Sequence, residues 1–242
     1  MKIGMAFGRG AAATVVGLLL LGAAHGADTP KKPARVKAPD PSMQPVADVA
    51  GLPRVLLIGD SISMGYTLPV RELLQGQANV HRVLENGGDT GRGLKQLDTW
   101  LGTGKWDVIH FNFGLHDLKW LDTKGKYVAP DQGKQVNPLP AYEANLRQIV
   151  TRLKATGAKP IWCSTTPVPD GTQGRVKDAE LDYNRAAEKV MRENGVAIDD
   201  LHALVATHQA QWQLPHNVHF NPEGYRALAA QVVASIHAQL GK

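Results

Sequence analysis

Four consecutive apolar residues, Val55-Leu56-Leu57-Ile58, run straight into Gly59-Asp60-Ser61. A strand that is apolar at every position has both faces buried, a demand met in parallel sheets covered by helices. Residues Ile62 to Gln75 suit a helix, with Pro69 at a break or kink in it. Ser61 is thereby placed at the carboxyl end of a strand and at the start of a helix. Open α/β sheets bind ligands at that edge, and a helix N-terminus favours developing negative charge. Ser61 is therefore a candidate nucleophile; the plainer reading makes Asp60-Ser61 a helix N-cap pair.

The same strand-then-helix punctuation recurs along the chain. Val80 to Leu84 reads as a second strand, closed by Glu85-Asn86-Gly87-Gly88-Asp89-Thr90-Gly91. Leu94, Leu97 and Leu101 share one face of the next helix. Asp107 to Phe113 is a third strand, ending at Gly114-Leu115-His116-Asp117, and the polar segment 118–137 has no periodicity. Tyr142, Leu146, Ile149, Val150 and Leu153 mark a helix, Ala158 to Ser164 a fourth strand, and Glu180 to Glu193 another helix. Val196 to Ile198 is a short fifth strand, leading to Asp199-Asp200. Asn221 and Pro222 then open a last helix running to about Leu240. This alternation predicts a three-layer αβα, flavodoxin-like α/β domain with five mainly parallel strands, over residues 53–242.

The N-terminal region has a different character. Lys2 and Arg9 precede the apolar run Ala11 to Leu21, and Ala24-His25-Gly26 offers small residues for cleavage. Residues 1–26 therefore read as a signal peptide, too short to span a bilayer comfortably, and an exported, periplasmic or secreted protein is expected. Removal after about Gly26 is expected, with retention as an anchor the alternative. Residues 27–52 carry five prolines and a cluster of lysines and arginines, which suits an extended, solvated linker. Of the net charge of +5, residues 1–51 hold +3 (six Lys/Arg against three Asp), so the body is nearly neutral. No nucleic-acid partner and no stable membrane insertion are expected. Cys163 is the only cysteine and reads as packing within a strand, and no His/Cys cluster has metal-site spacing.

The polar residues gather after the strands, on one edge of the expected sheet. Here the chain resembles the SGNH (GDSL-type) hydrolases over residues 54–240. Gly59-Asp60-Ser61 matches the first block, Asn86-Gly87-Gly88-Asp89-Thr90 the second and Gly114-Leu115-His116-Asp117 the third. The last block is matched by His216-Asn217-Val218-His219-Phe220 with Pro222-Glu223-Gly224-Tyr225. The resemblance implies Ser61 as nucleophile and His219 as base, with the backbone N–H groups of Ser61 and Gly88 in the oxyanion hole. Two blocks depart from the pattern. His116 replaces the asparagine of the third block; an imidazole N–H still donates, and Asn112 is a second candidate donor. His216 occupies the position of the triad aspartate, so the His216 carbonyl, Asp117 or Asp200 is the candidate orienter of the base.

Lys119, Trp120 and Trp212 are candidates to border a sugar site, whereas His81, His110, His202, His208 and His237 read as structural. The expected activity is cofactor-free hydrolysis of a small acyl ester, acetyl on a carbohydrate, by a monomer. A carbohydrate O-acyltransferase and a carbohydrate-binding pseudoenzyme are the alternatives.

Overall fold

The structure, a computed structural model, describes residues 40–241. The expected signal peptide and the first part of the expected linker lie outside the described residues. Residues 40–52 are mostly exposed but make specific contacts. Pro41–Met43 forms a 3-10 turn with Ser42 buried. Asn79 Nδ2 donates to the Val49 and Leu52 carbonyls while its Oδ1 accepts from Val49 N. Asp48 pairs with Arg54 (3.0 Å) and His81 (2.6 Å). The segment has too little apolar surface to signal burial, and docks through polar groups instead.

Five strands form one sheet: β1 (Arg54–Ile58), β2 (Asn79–Arg82), β3 (Val108–Phe111), β6 (Lys159–Cys163) and β7 (Ala197–Asp199). Their order is β2-β1-β3-β6-β7 and every pairing is parallel. Val55 pairs with Val80 on one side and Val108 on the other, so β1 is an interior strand and Val55 to Ile58 are fully buried, as its apolar run requires. The chain crosses from β1 to β2 on one side and then returns to β3 on the other. Such a reversal opens a crevice at the carboxyl ends of β1 and β3, the switch point where ligands bind in these sheets. Ser61 stands on one side of it and His116 on the other.

The helices are α1 (Ser61–Leu73), α2 (Thr90–Leu101), α3 (Leu139–Ala155), α4 (Glu180–Asn194), α5 (Leu201–Ala206), α6 (Gln209–Trp212) and α7 (Pro222–Leu240). α3 packs between α2 and α4, while α1 packs against α7. The last two meet closely: a Cβ on Gly65 would lie 2.1 Å from the Tyr225 ring. α1 runs unbroken across Pro69, where a kink is expected from the sequence. The polar segment contains a small antiparallel ribbon, β4 (Trp120–Leu121) with β5 (Lys134–Gln135), too short to show as periodicity. No helix among the described residues is long and apolar enough to cross a membrane.

A polar cluster sits inside the core. His110 Nε2 lies 2.8 Å from Asp199 Oδ2, and Gln231 and Ser235 of α7 donate to the same carboxylate. The Cys163 thiol is close by, and burial pushes its pKa well up, so it is an inert packing group.

Candidate active site

β1 ends at Gly59, and the chain turns directly into α1 with Asp60 as its N-cap. Asp60 Oδ1 accepts from Ile62 N at 2.9 Å. Ser61 is thus the first residue of the helix, and its backbone N–H is one of the donors that no helical carbonyl reaches. The cap reading and the nucleophile reading of Asp60-Ser61 are compatible, with each residue taking one role.

His219 arrives from a loop between α6 and α7. Gln213 is buried beneath that loop and donates to the Pro167 and Val218 carbonyls, while Leu214 N donates to the His219 carbonyl. This arrangement places His219 Nε2 2.8 Å from Ser61 Oγ. The other ring nitrogen, Nδ1, lies 2.7 Å from Asn217 Oδ1, which also accepts from His219 N at 3.0 Å. One amide oxygen closes an Asx-type turn and holds the ring. Because that oxygen only accepts, Nδ1 carries the proton, and Nε2 presents a lone pair to the Ser61 hydroxyl. Burial lowers the His219 pKa, opposed in part by Asp60 and helped to a lesser extent by the Arg175 guanidinium, so the ring is neutral at pH 7.

Asn217 is a residue that sequence reasoning missed. None of the three expected orienters touches the base. His216 adopts a left-handed φ of 53° and its Nδ1 donates to the Asp170 carbonyl (2.8 Å). Asp117 is fully buried, where its Oδ1 takes hydrogen bonds from Thr90 N, Thr90 Oγ1 and Asn137 Nδ2. Asp200 caps α5 through Ala203 N and accepts from Ser164 Oγ. The two carboxylates are held by neighbouring helix starts, which is why acidic residues at strand ends misled the reading. The available signal for Asn217 was its spacing two residues before His219, which lets an Asx turn and the ring share one acceptor.

The expected oxyanion donors divide. Ser61 N–H is free at the helix start, and His116 lines the same cleft. Lys119 Nζ lies 3.2 Å from His116 Nδ1; an ammonium can only donate, so His116 holds its proton on Nε2 and offers one N–H. Asn112 does not reach the cleft: its Nδ2 donates to the Cys163 carbonyl at 2.7 Å across the sheet. Gly88 N–H is committed to Asn86 Oδ1 at 2.9 Å. That bond leaves the Asn86 Nδ2 group as an additional donor, on a side chain that lines the cleft. The cleft has a volume of about 450 Å³, and Tyr127, Thr172, Gln173, Arg175 and His216 complete much of its wall. Trp120 and Trp212 are not part of that wall; Trp212 stacks on His208 at 4.1 Å instead.

The parallel, doubly wound sheet carries a serine–histidine pair at its switch point, an arrangement suited to acyl transfer. Residues 57–227 match the GDSL-like Lipase/Acylhydrolase family, and the chain belongs to it. It is an ester-bond hydrolase. Among solved structures it is similar to the lipase/acylhydrolase from Enterococcus faecalis (19% identity, TM-score 0.63, covering 77% of this chain and 96% of that one). It is also similar to the acetyl xylan esterase AlAXEase (16% identity, TM-score 0.62, covering 76% and 99%). A third similar structure is a catalytic mutant of Axe2, an acetylxylan esterase from Geobacillus stearothermophilus (19% identity, TM-score 0.61, covering 76% and 94%). At these identities the likeness is one of fold. No match to a curated protein was found.

Proposed function

We propose that the chain is an exported serine esterase that hydrolyses a small acyl ester, acetyl on a carbohydrate, through an acyl-Ser61 intermediate. The observation that carries the reading is the 2.8 Å contact between Ser61 Oγ and the lone pair of His219 Nε2. Ser61 Oγ attacks the ester carbonyl carbon as its proton passes to Nε2. The tetrahedral oxyanion is held by Ser61 N–H, with His116 Nε2–H and the Asn86 amide as the further donors. Nε2 then returns the proton to the leaving alkoxide. A water loses its proton to the same nitrogen, attacks the acyl-serine, and releases the acid with Ser61 restored.

Support for a small acyl group comes from fold neighbours described as acetyl xylan esterases. A polar, moderate-sized cleft fits a sugar better than a long alkyl chain. Support for export comes from the charge-then-apolar pattern of residues 1–26. The test is acetate release from acetylated oligosaccharides and from a chromogenic acetate ester by the full chain. Turnover is expected, with near-complete loss in Ser61→Ala. Activity that survives in Ser61→Ala overturns the mechanism.

A further inference from the structure

Among the described residues six arginines pair with a carboxylate, whereas Arg71, Arg82, Arg175 and Arg226 are in no ion pair. Arg54 meets Asp48, Arg92 meets Glu85, and Arg147, Arg152, Arg185 and Arg192 likewise have acidic partners. Arg175, in the wall of the catalytic cleft, does not. Among the described residues no ion pair includes it. Its Nε donates to the Leu115 carbonyl at 2.9 Å, and its guanidinium lies 5.7 Å from the Tyr127 ring centroid. The side chain is therefore fixed in place, next to the residue that precedes His116. It is largely removed from water, and burial lowers its pKa. The cleft's one acid, Asp60, caps α1 through Oδ1 and acts on the guanidinium from a distance, with no ion pair between them. A partly desolvated guanidinium that no carboxylate pairs with directly gains a close partner when an anion arrives.

We propose that the cleft takes acyl esters whose carbohydrate portion bears a carboxylate, as in a uronic acid, and that Arg175 grips that group. The inference rests on the esterase reading and names its substrate class. A planar guanidinium fork fits a carboxylate by two parallel hydrogen bonds. A phosphate dianion would call for a second cation, and Arg175 is the one lysine or arginine in the cleft wall among the described residues.

The experiment measures binding separately from turnover. Calorimetry on the full chain carrying Ser61→Ala compares singly acetylated methyl glucuronoside, methyl glucoside and methyl glucoside phosphate. The glucuronoside is expected to bind at least about tenfold tighter than the neutral sugar. Adding Arg175→Gln brings that ratio close to one, and Arg175→Lys keeps part of it. Because the ratio is taken on one protein, loss of folded material does not change it. Equal binding, no binding of either sugar, a ratio that survives Arg175→Gln, or tighter binding of the phosphate each overturns the proposal. On the active chain, equal hydrolysis of charged and neutral esters defeats this inference and leaves the esterase standing. Charge-selective, Arg175-dependent binding without hydrolysis upholds Arg175 as the anion site and defeats the esterase.

Discussion

Replacing Asn217 by alanine removes the side-chain acceptor that His219 Nδ1 has among the described residues. The lost bond is short, 2.7 Å, but it is neutral and lies on an exposed loop residue. Such a bond is worth about 0.5–1.5 kcal/mol, so kcat should fall about two- to tenfold. That is far from the roughly ten-thousandfold loss when the buried acid of a Ser-His-Asp triad becomes an amide. The difference arises because water can replace Asn217 Oδ1, and because the neutral Asn217 gives the imidazolium no ionic stabilisation to lose. Asn217→Asp tests the same geometry from the other direction. A carboxylate at that position favours the charged ring, so the acidic limb of the rate profile should move to higher pH. The assay is steady-state hydrolysis of a chromogenic acetate ester across pH, with both variants checked for native melting. A loss beyond about a hundredfold in Asn217→Ala, or an unmoved limb in Asn217→Asp, refutes Asn217 as the partner of the base.

Three other outcomes follow from the same structure. The His219 pKa is lowered from 6.5 by burial, so the acidic limb of kcat/KM for the parent protein should have its midpoint below 6.5, and a midpoint above that value contradicts a neutral, partly desolvated base. Gly65→Ala drives a methyl into the Tyr225 ring between α1 and α7, and should destabilise the protein by about 1–3 kcal/mol in urea unfolding. Burial raises the Asp117 pKa to about 7 from 3.8 in spite of its three donors, so the protonated form is preferred in the folded state. Its contribution is present below pH 3.8 and lost as pH rises to about 7. Unfolding free energy should therefore decline by roughly 2–4 kcal/mol more between pH 4 and pH 8 in the parent than in Asp117→Asn.

The parts of the fold that were legible are those encoded locally. Val55 to Ile58 could only be a strand buried on both faces, and Gly59-Asp60-Ser61 could only be the turn out of it. Once the strands alternate with helices, the switch point follows from topology, while the pairing of Ser61 with His219 was implied by the resemblance of the last block. What escaped depends on contacts between distant segments. Asn112 resembles a site residue until the Cys163 carbonyl is brought across the sheet to accept its amide. Asp117 and Asp200 resemble triad acids until Thr90, Asn137 and the start of α5 claim them. Residues 40–52 resemble a linker because their anchors, Asn79, His81 and Arg54, belong to other elements. Asn217 was hidden differently: its role needs only a two-residue spacing, but the triad pattern directs attention three residues before the base.

The central claim, a covalent acyl group on Ser61 formed with His219 as base, is tested most directly by acid-quenching the protein during turnover of a chromogenic acetate ester and mapping the acetyl group by peptide mass spectrometry. The account predicts one acetyl group, on the peptide and residue of Ser61, and strongly reduced labelling in His219→Ala. Acetate release with no label on Ser61, or with the label on another residue, contradicts it.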